Sequence, residues 1–160
     1  MENVLAGVAR FERCRFDDAT IVHFRSETME FVDCRFGGTL TNVIFHKRSH
    51  LPALKDLPPN EYQGSDFTGA RLRDVAFRGG IDLTQQVLPS GPEYLFLPDG
   101  QEAIRRARAR LASLAGDALM AAERHLEFLQ MDVDAGQTQL FLIRSDFVSA
   151  SGFFEILANS

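Results

Sequence analysis

Two stretches near the start of this chain repeat each other at an offset of twenty residues. The first reads Arg-Phe-Glu-Arg-Cys-Arg-Phe over 10–16, and the second reads Glu-Phe-Val-Asp-Cys-Arg-Phe over 30–36. Large apolar residues also recur within them every five positions, at Phe11, Phe16, Ile21, Phe31 and Phe36. A helix spaces its apolar residues three or four apart and a half-buried strand two apart, so a period of five fits neither. We expect each unit to bury its apolar residue only by stacking on the next one.

A clearer run of five-residue units lies at 65–79. It reads Ser-Asp-Phe-Thr-Gly, Ala-Arg-Leu-Arg-Asp and Val-Ala-Phe-Arg-Gly. This run resembles the pentapeptide-repeat family, whose unit is a small residue, Asp or Asn, a central Leu or Phe, a small polar residue and Gly. The resemblance covers about half of the chain. It implies a right-handed, four-sided β-helix with one unit on each side, so that twenty residues complete one turn.

The resemblance also implies that the central residue of each unit, and the small residue two positions before it, point inward. Cys14 and Cys34 take the small position, and stacking would place them about 4.8 Å apart. Side chains stacked in parallel have the wrong relative direction for a disulfide, so we expect two free thiols, as in the cytosol. The predicted interior ladder comprises Phe11, Cys14, Phe16, Phe31, Cys34, Phe36, Phe67, Leu72 and Phe77.

Breaks in the period divide the chain into two predicted parts. Residues 1–97 form the repeat domain, with about three turns, a short lead-in at 1–8 and a proline-containing loop inserted at 46–64. Residues 98–160 carry two apolar stripes at helical spacing and form a helical hairpin, then a strand and a short helix. The predicted fold class is therefore mainly β: a right-handed quadrilateral β-helix with a C-terminal helical cap over its open end.

Charge and hydropathy exclude several classes of partner. The chain of 160 residues has a formal net charge of −5, which argues against general affinity for nucleic acid or anionic membranes. No run approaches the ~20 apolar residues of a membrane helix. The first residues lack the basic-then-apolar pattern of a secretory signal. We therefore expect a cytoplasmic protein that contacts neither membranes nor nucleic acid.

No pattern of catalytic or metal-binding residues stands out. His46 and His50 are four apart, as in some zinc sites, but Pro52 favours a loop over the helix that would align them. Both cysteines fall on inward positions, where a thiol is inert. Motifs of phosphate loops, nucleophile elbows and metalloprotease helices do not occur. We expect no enzymatic activity, no cofactor and no metal.

A rigid scaffold with a patterned wall and a long loop is typical of a binding protein. The leading hypothesis is a protein that binds and blocks another protein, a toxin or an enzyme, as an immunity protein or antitoxin does. The alternative is a DNA mimic that binds a type II topoisomerase such as gyrase, as some pentapeptide-repeat proteins do, although the outward charges balance in sign. A third reading is an unrecognised enzyme. The predicted partner-binding residues are Arg15, Arg35, Lys47, Arg48, Leu54 and Tyr62.

Overall fold

A computed structural model describes residues 9–49 and 51–159. The strands are β1 Ala9–Glu12, β2 Arg15–Arg25, β3 Met29–Val32, β4 Arg35–His46, β5 Tyr62–Gln63, β6 Asp66–Arg78, β7 Tyr94–Leu97 and β8 Leu140–Ile143. The helices are α1 Gly100–Arg110, α2 Gly116–Asp134 and α3 Ser151–Ala158, with 3₁₀ turns at Pro52–Leu54, Leu83–Gln85, Leu111–Ser113 and Arg144–Ala150. The predicted lead-in at 1–8 and His50 lie outside the described residues. Within these ranges, no helix is long and apolar enough to cross a membrane.

Six strands form two parallel, three-stranded sheets. One sheet has the order β1-β3-β5 and the other the order β2-β4-β6. In each sheet the first two strands begin at the predicted offset of twenty, with Phe11 opposite Phe31 and Phe16 opposite Phe36. Parallel strands need a long crossover, and here the chain reaches the same sheet again after passing through the other one. The twenty-residue pairing predicted from the sequence is confirmed for β1 with β3 and for the start of β2 with β4.

The period of five corresponds to bends in the backbone. Among the residues that the structure describes, six other than glycine have a positive φ: Arg13, Asp18, His23, Asp33, Asn42 and Asp74. The first three are five residues apart, and each separates one inward-facing run from the next. Asp and Asn, which make up four of the six, tolerate this left-handed conformation better than most residues. The sequence period therefore records left-handed bends between runs as well as the apolar residues inside them.

A pair of glycines shifts the register between β2 and β4. Beyond the bend, Ala19 pairs with Gly38 and Phe24 with Val43, so the offset falls from twenty to nineteen (43 − 24 = 19). Gly38 has a φ of +86°, and a Cβ there would lie 2.3 Å from the carbonyl oxygen of Ala19. Glycine is therefore required at position 38. The second layer of strands, β3 and β4, is shortened by one residue, so that Phe45 follows Phe36 after nine residues rather than ten.

Aromatic rings fill the space between the two parallel sheets in columns. Phe36 stacks on Phe16 at 4.9 Å between ring centroids and on Phe67 at 4.6 Å. Phe11 stacks on Phe31 at 5.2 Å. The second and third layers are buried as predicted, whereas Phe11 and Phe16 are only half-buried because they belong to the first layer. Cys14 and Cys34 are free thiols, and burial raises the pKa of Cys34.

Polar side chains interrupt the ladder between β2 and β3. Ser26 stands five residues after Ile21, at the next position of the five-residue period. It is buried and hydrogen-bonds the hydroxyl of Tyr62 and the backbone N–H of His46. The side-chain amide of Asn60 donates to the carbonyl oxygens of Ser26, Glu27 and His46 at 3.0, 3.1 and 2.7 Å. These side chains replace strand pairing at this corner, and they bind the predicted inserted loop to both layers.

The C-terminal third covers the β6 end of the parallel sheets. β7 and β8 form an antiparallel pair, and Phe141 of β8 packs edge-on against Phe77 at 6.2 Å. The buried amide of Gln137 accepts from the N–H groups of Gly80 and Ile81 and donates to the carbonyl of Ile81. The predicted helical hairpin is present as α1 and α2, whose buried stripe forms a second core: Ile104, Ala107, Ala122, Leu126 and Leu129.

The predicted fold class is wrong. The protein is a mixed α/β molecule with 36% helix and 37% strand, not a mainly β one. Its strands are divided among two parallel sheets and one antiparallel pair, and no closed or solenoid β-helix is seen in the described part of the chain. The repeat correctly predicted parallel pairing. The strands stay in separate small sheets because of the buried polar side chains between them, the segment 47–61 that leaves the strands, and the helical C-terminal third.

Candidate functional site: an arginine cleft

Two of the residues predicted to bind a partner, Arg15 and Arg35, lie on one surface of the sheet, which we call the arginine wall. One of its two charges is paired locally. Arg15 and Arg35 occupy paired positions on β2 and β4, and β6 places Asp66 opposite Arg35. The guanidinium group of Arg15 lies 3.0 Å from the carboxylate of Asp17. Hydrogen bonds from Thr68 and the charge of Arg35 lower the pKa of Asp66. Arg15 is therefore ion-paired, whereas Arg35 has Asp66 opposite it but no carboxylate within 4.0 Å among the described residues.

The predicted loop residues are split between the surface and the interior. Lys47 and Arg48 directly follow β4, the first half-buried and the second exposed. Leu54 and Tyr62 are only 5% and 6% exposed, so their side chains lie beneath the surface. Tyr62 belongs to β5 and pairs with Phe31, which makes it a member of the interior ladder rather than of a free loop. Burial raises the pKa of its hydroxyl.

A cleft lies where the C-terminal part of the chain meets β6. It has a volume of about 540 Å³ and combines charged, aromatic and aliphatic side chains. We call it the arginine cleft, and its lining is Arg71, Leu72, Arg73, Glu93, Tyr94, Ile143, Arg144, Ser145, Phe147, Val148 and Phe154. Residues separated by more than eighty positions in sequence thus meet in one concave site.

Two arginines of β6 supply the charge on one side of the cleft. Arg71 and Arg73 are exposed and flank Leu72, which is buried, because side chains alternate between the faces of a strand. Neither guanidinium group lies within 4.0 Å of a carboxylate of the described residues. Their hydrogen-bond donors are therefore directed to solvent or to a ligand, and a guanidinium fork matches a carboxylate or phosphate.

The sequence contains a signal, which the prediction missed, that Arg71 and Arg73 lack the local carboxylate that Arg10 and Arg15 have. Two earlier arginines that stand one position before a central residue, Arg10 and Arg15, are followed two positions later by an acid, Glu12 and Asp17, whereas Arg35 is followed by Gly37. The structure turns both of these into ion pairs, at 3.3 and 3.0 Å. After Arg71 the corresponding position holds Arg73, so the local partner is replaced by a second positive charge.

Arg144 forms the opposite side of the cleft and is held in place. Its Nε donates to the carbonyl oxygen of Pro92 at 2.9 Å, and its Nη1 pairs with the carboxylate of Glu155. The guanidinium carbon lies 4.4 Å from the centre of the Phe154 ring, a cation–π arrangement. These contacts fix the plane of the guanidinium group without covering the whole of it.

Apolar groups form the remaining surface of the cleft. Tyr94 is half-buried, and Phe147 and Phe154 are buried. Val148 is 81% exposed, the most exposed large apolar side chain in the described residues. An apolar surface beside guanidinium groups is suited to a ligand that carries both an anionic group and hydrophobic atoms.

Acidic residues lie beside the positively charged part of the cleft. Glu93 lies on the lining, and Asp146 accepts a hydrogen bond from the backbone N–H of Asp74 at 3.0 Å. Burial is the main cause that raises the pKa of Asp146, and the charge of Arg73 opposes that shift. Asp146 therefore joins the Arg144–Ala150 segment, part of which lines the cleft, to the left-handed bend at Asp74.

The sheet surface next to the cleft carries no charge. Across β2, β4 and β6, Thr20 and Thr39 lie in register with Arg71. Val22 and Thr41 lie in register with Arg73 in the same way. We call these four residues the threonine strip. It extends the two arginines into a flat surface without carboxylates, whereas charges of both signs alternate on the Arg15 side.

Comparison of the chain with protein-family models, with curated proteins and with solved structures gave no match in any of the three. The resemblance to pentapeptide-repeat proteins therefore stays a prediction. Among the described residues, no group of three or more His, Cys, Asp or Glu is placed to hold a metal ion. His46, one of the two histidines considered above, is buried at the end of β4 near Glu27, at 3.6 Å.

Proposed function

We propose that this protein is a non-enzymatic binding protein that holds and blocks a partner protein, and that the arginine cleft and the threonine strip form its binding surface. An immunity protein or antitoxin acting in the cytoplasm is the concrete form of this proposal. The partner would insert an acidic side chain, flanked by an apolar one, between Arg144 and the two arginines of β6.

The observation that carries the proposal is the pairing state of the arginines. Arg10 is paired with Glu12, Glu30 and Glu61, and Arg15 with Asp17. Arg105 and Arg106 are both compensated by Glu102 of the same helix. Arg71 and Arg73, like Arg35, have no carboxylate within 4.0 Å among the described residues, and they border a concave site. Charged hydrogen bonds in a partly enclosed site contribute about 1.5–3 kcal/mol each, more than exposed ion pairs do.

The shape of the site also favours a protein over a small molecule. The cleft continues into a flat strip across three strands, and Val148 projects beside it. Binding surfaces of proteins typically join a few anchoring groups, often arginine and aromatic residues, to a flatter surrounding area. The strip provides such an area without a carboxylate that would repel an acidic partner.

Affinity capture from the source cells, with quantitative mass spectrometry, tests the proposal. The full chain is compared with the double variant Arg71→Glu/Arg73→Glu and with the matched double variant Arg15→Glu/Arg35→Glu. The proposal predicts one protein recovered in near-equal amount by the parent and by the Arg15/Arg35 variant, and lost from the Arg71/Arg73 variant. Recombinant partner should then lose its own activity when the parent chain is added.

Two results would contradict the proposal. In the first, the Arg71/Arg73 variant keeps its native far-ultraviolet spectrum and recovers the same partner as the parent. In the second, the partner is lost only from the Arg15/Arg35 variant, which would return the interface to the wall predicted from the sequence.

A further inference from the structure

The two ends of the parallel sheets differ. At the β6 end, the backbone of Val87 exchanges hydrogen bonds with Ser65 and Phe67, and Phe141 covers the ring of Phe77. At the other end, β1 and β2 are the edge strands of their sheets, and no described residue pairs with their outer edges. Unpaired strand edges are a ready template for another chain.

An apolar concavity opens at the same end. It has a volume of about 360 Å³, and every residue that lines it is apolar. The rings of Phe11, Phe16 and Phe24 and the side chain of Ile21 are only half-buried there, whereas their second-layer partners are buried. β2 is eleven residues long and has neither a proline nor an inward-pointing charge, two devices that commonly protect edge strands.

We propose that a second copy of this chain covers this end, in a two-fold symmetric dimer. The proposal is independent of the arginine cleft, which lies at β6. In the dimer β1 and β2 would pair with the edge strands of the partner copy, and the two concavities would close over one another. Such an interface is isologous, because the same surface is used on both subunits.

The geometry selects a second copy over an unrelated partner. Two separate sheets end here together, so a partner that continues both must offer two strand edges at the same spacing. A second copy does so by construction. It also offers a further layer of Phe rings, and rings already stack at 5.2 and 4.9 Å between the first and second layers.

The rim of the concavity permits two copies to approach. Arg10 is paired with Glu12 and Glu30, at 3.3 and 3.0 Å, and Arg15 is paired with Asp17 at 3.0 Å. Because both signs are present and paired within each copy, the rim does not carry a one-signed field that would repel its own image.

Sedimentation equilibrium of the full chain over a wide micromolar range tests the proposal. The parent is expected to approach twice its 17.9 kDa mass as concentration rises. Ile21→Lys places a charge in the concavity and should leave a folded monomer. Met120→Lys is the control, because Met120 is an apolar residue of α2 that is 56% exposed and lies outside both proposed surfaces, and it should dimerise like the parent.

Hydrogen exchange of the parent chain provides a second measurement that needs no variant. Dimer formation should increase protection of β1 and β2 amides at high concentration and leave α2 unchanged. A parent that stays monomeric at every concentration would overturn the proposal, as would a folded Ile21→Lys that dimerises normally. Protection of these edges that does not depend on concentration would also overturn it, because the cover would then belong to the single chain.

Discussion

At the scale of single residues, buried polar side chains determine where the repeat stops. Ser26, Asn60 and Gln137 are all buried, and each binds backbone groups of segments distant in sequence. A buried backbone group without a partner costs about as much as a lost hydrogen bond. These side chains therefore bind together segments that are not joined by strand pairing. A substitution at any one of them affects two segments.

Asn60→Ala tests this role of a buried amide. The change leaves the carbonyl oxygens of Ser26, Glu27 and His46 without the donor they now share. We expect the free energy of unfolding to fall by about 1–3 kcal/mol. Urea titration followed by circular dichroism measures it, and Lys55→Ala, at an exposed position of the same segment, is the control. Equal stability of both variants would contradict the role.

Asp146→Asn tests the carboxylate that joins the C-terminal part to β6. Burial raises the pKa of Asp146 above that of the unfolded chain, so the parent loses stability as pH rises through the folded-state value. Asparagine keeps an oxygen acceptor for the N–H of Asp74 and does not titrate. The stability of the variant relative to the parent should therefore increase as pH rises from about 4, the ordinary pKa of Asp, through the higher folded-state pKa.

Urea titrations at several pH values measure this difference for Asp146→Asn. Asp56→Asn, at an exposed loop position, provides the control for the general effect of removing one negative charge. A relative stability that stays constant, or that falls as pH rises, would show that burial does not destabilise the ionised carboxylate of Asp146 in the folded protein.

At the scale of elements, parallel strands and left-handed bends are combined in the first half of the chain, and helices in the second. The predicted insertion at 46–64 illustrates how an element can be misjudged. Its composition indicates a loop, and Pro52–Leu54 is indeed a 3₁₀ turn, yet His46 ends β4 and Tyr62 begins β5. Because Leu54, Asn60 and Tyr62 are buried, this segment belongs to the core of the sheets.

Replacement of 46–64 by a Gly-Ser linker of equal length should therefore prevent stable folding, rather than leave stability unchanged as a dispensable loop would. Loss of a buried Leu alone typically costs about 2–5 kcal/mol. Replacement of 55–58 only, where every side chain is exposed, is the matched control and should leave the melting temperature nearly unchanged. Thermal melts of both variants decide the point, and native-like melting of the longer replacement would contradict the structure.

At the scale of the whole molecule, the sequence predicted some features of the fold and missed others for physical reasons. The offset of Phe11 and Phe31 fixed the strand register, and the stripes around Ile104 and Leu126 predicted the helices, because each signal is local and periodic. The assembly of three sheets depends on Asn60 and Gln137, whose hydrogen bonds have no periodic signature. The arginine cleft could not be predicted as a site, because β6, β7 and the Arg144–Ala150 segment meet only in three dimensions.

The whole molecule presents two distinct surfaces, a charged cleft at the β6 end and an apolar concavity at the β1 end. The protein would be able to bind a partner at one end and a second copy at the other, so a dimer would display two clefts. Linked binding sites increase apparent affinity for a multivalent target without any new contact.

Calorimetric titration of the captured partner tests the central claim, that Arg71 and Arg73 are the binding charges, most directly. Arg71→Gln/Arg73→Gln should weaken the affinity at least about tenfold, which corresponds to 1.4 kcal/mol, and should flatten its dependence on salt. Arg15→Gln/Arg35→Gln should change the affinity by less than about threefold, since Arg15 is compensated within the fold. Unchanged affinity in the Arg71/Arg73 variant, with loss in the Arg15/Arg35 variant, would contradict the account.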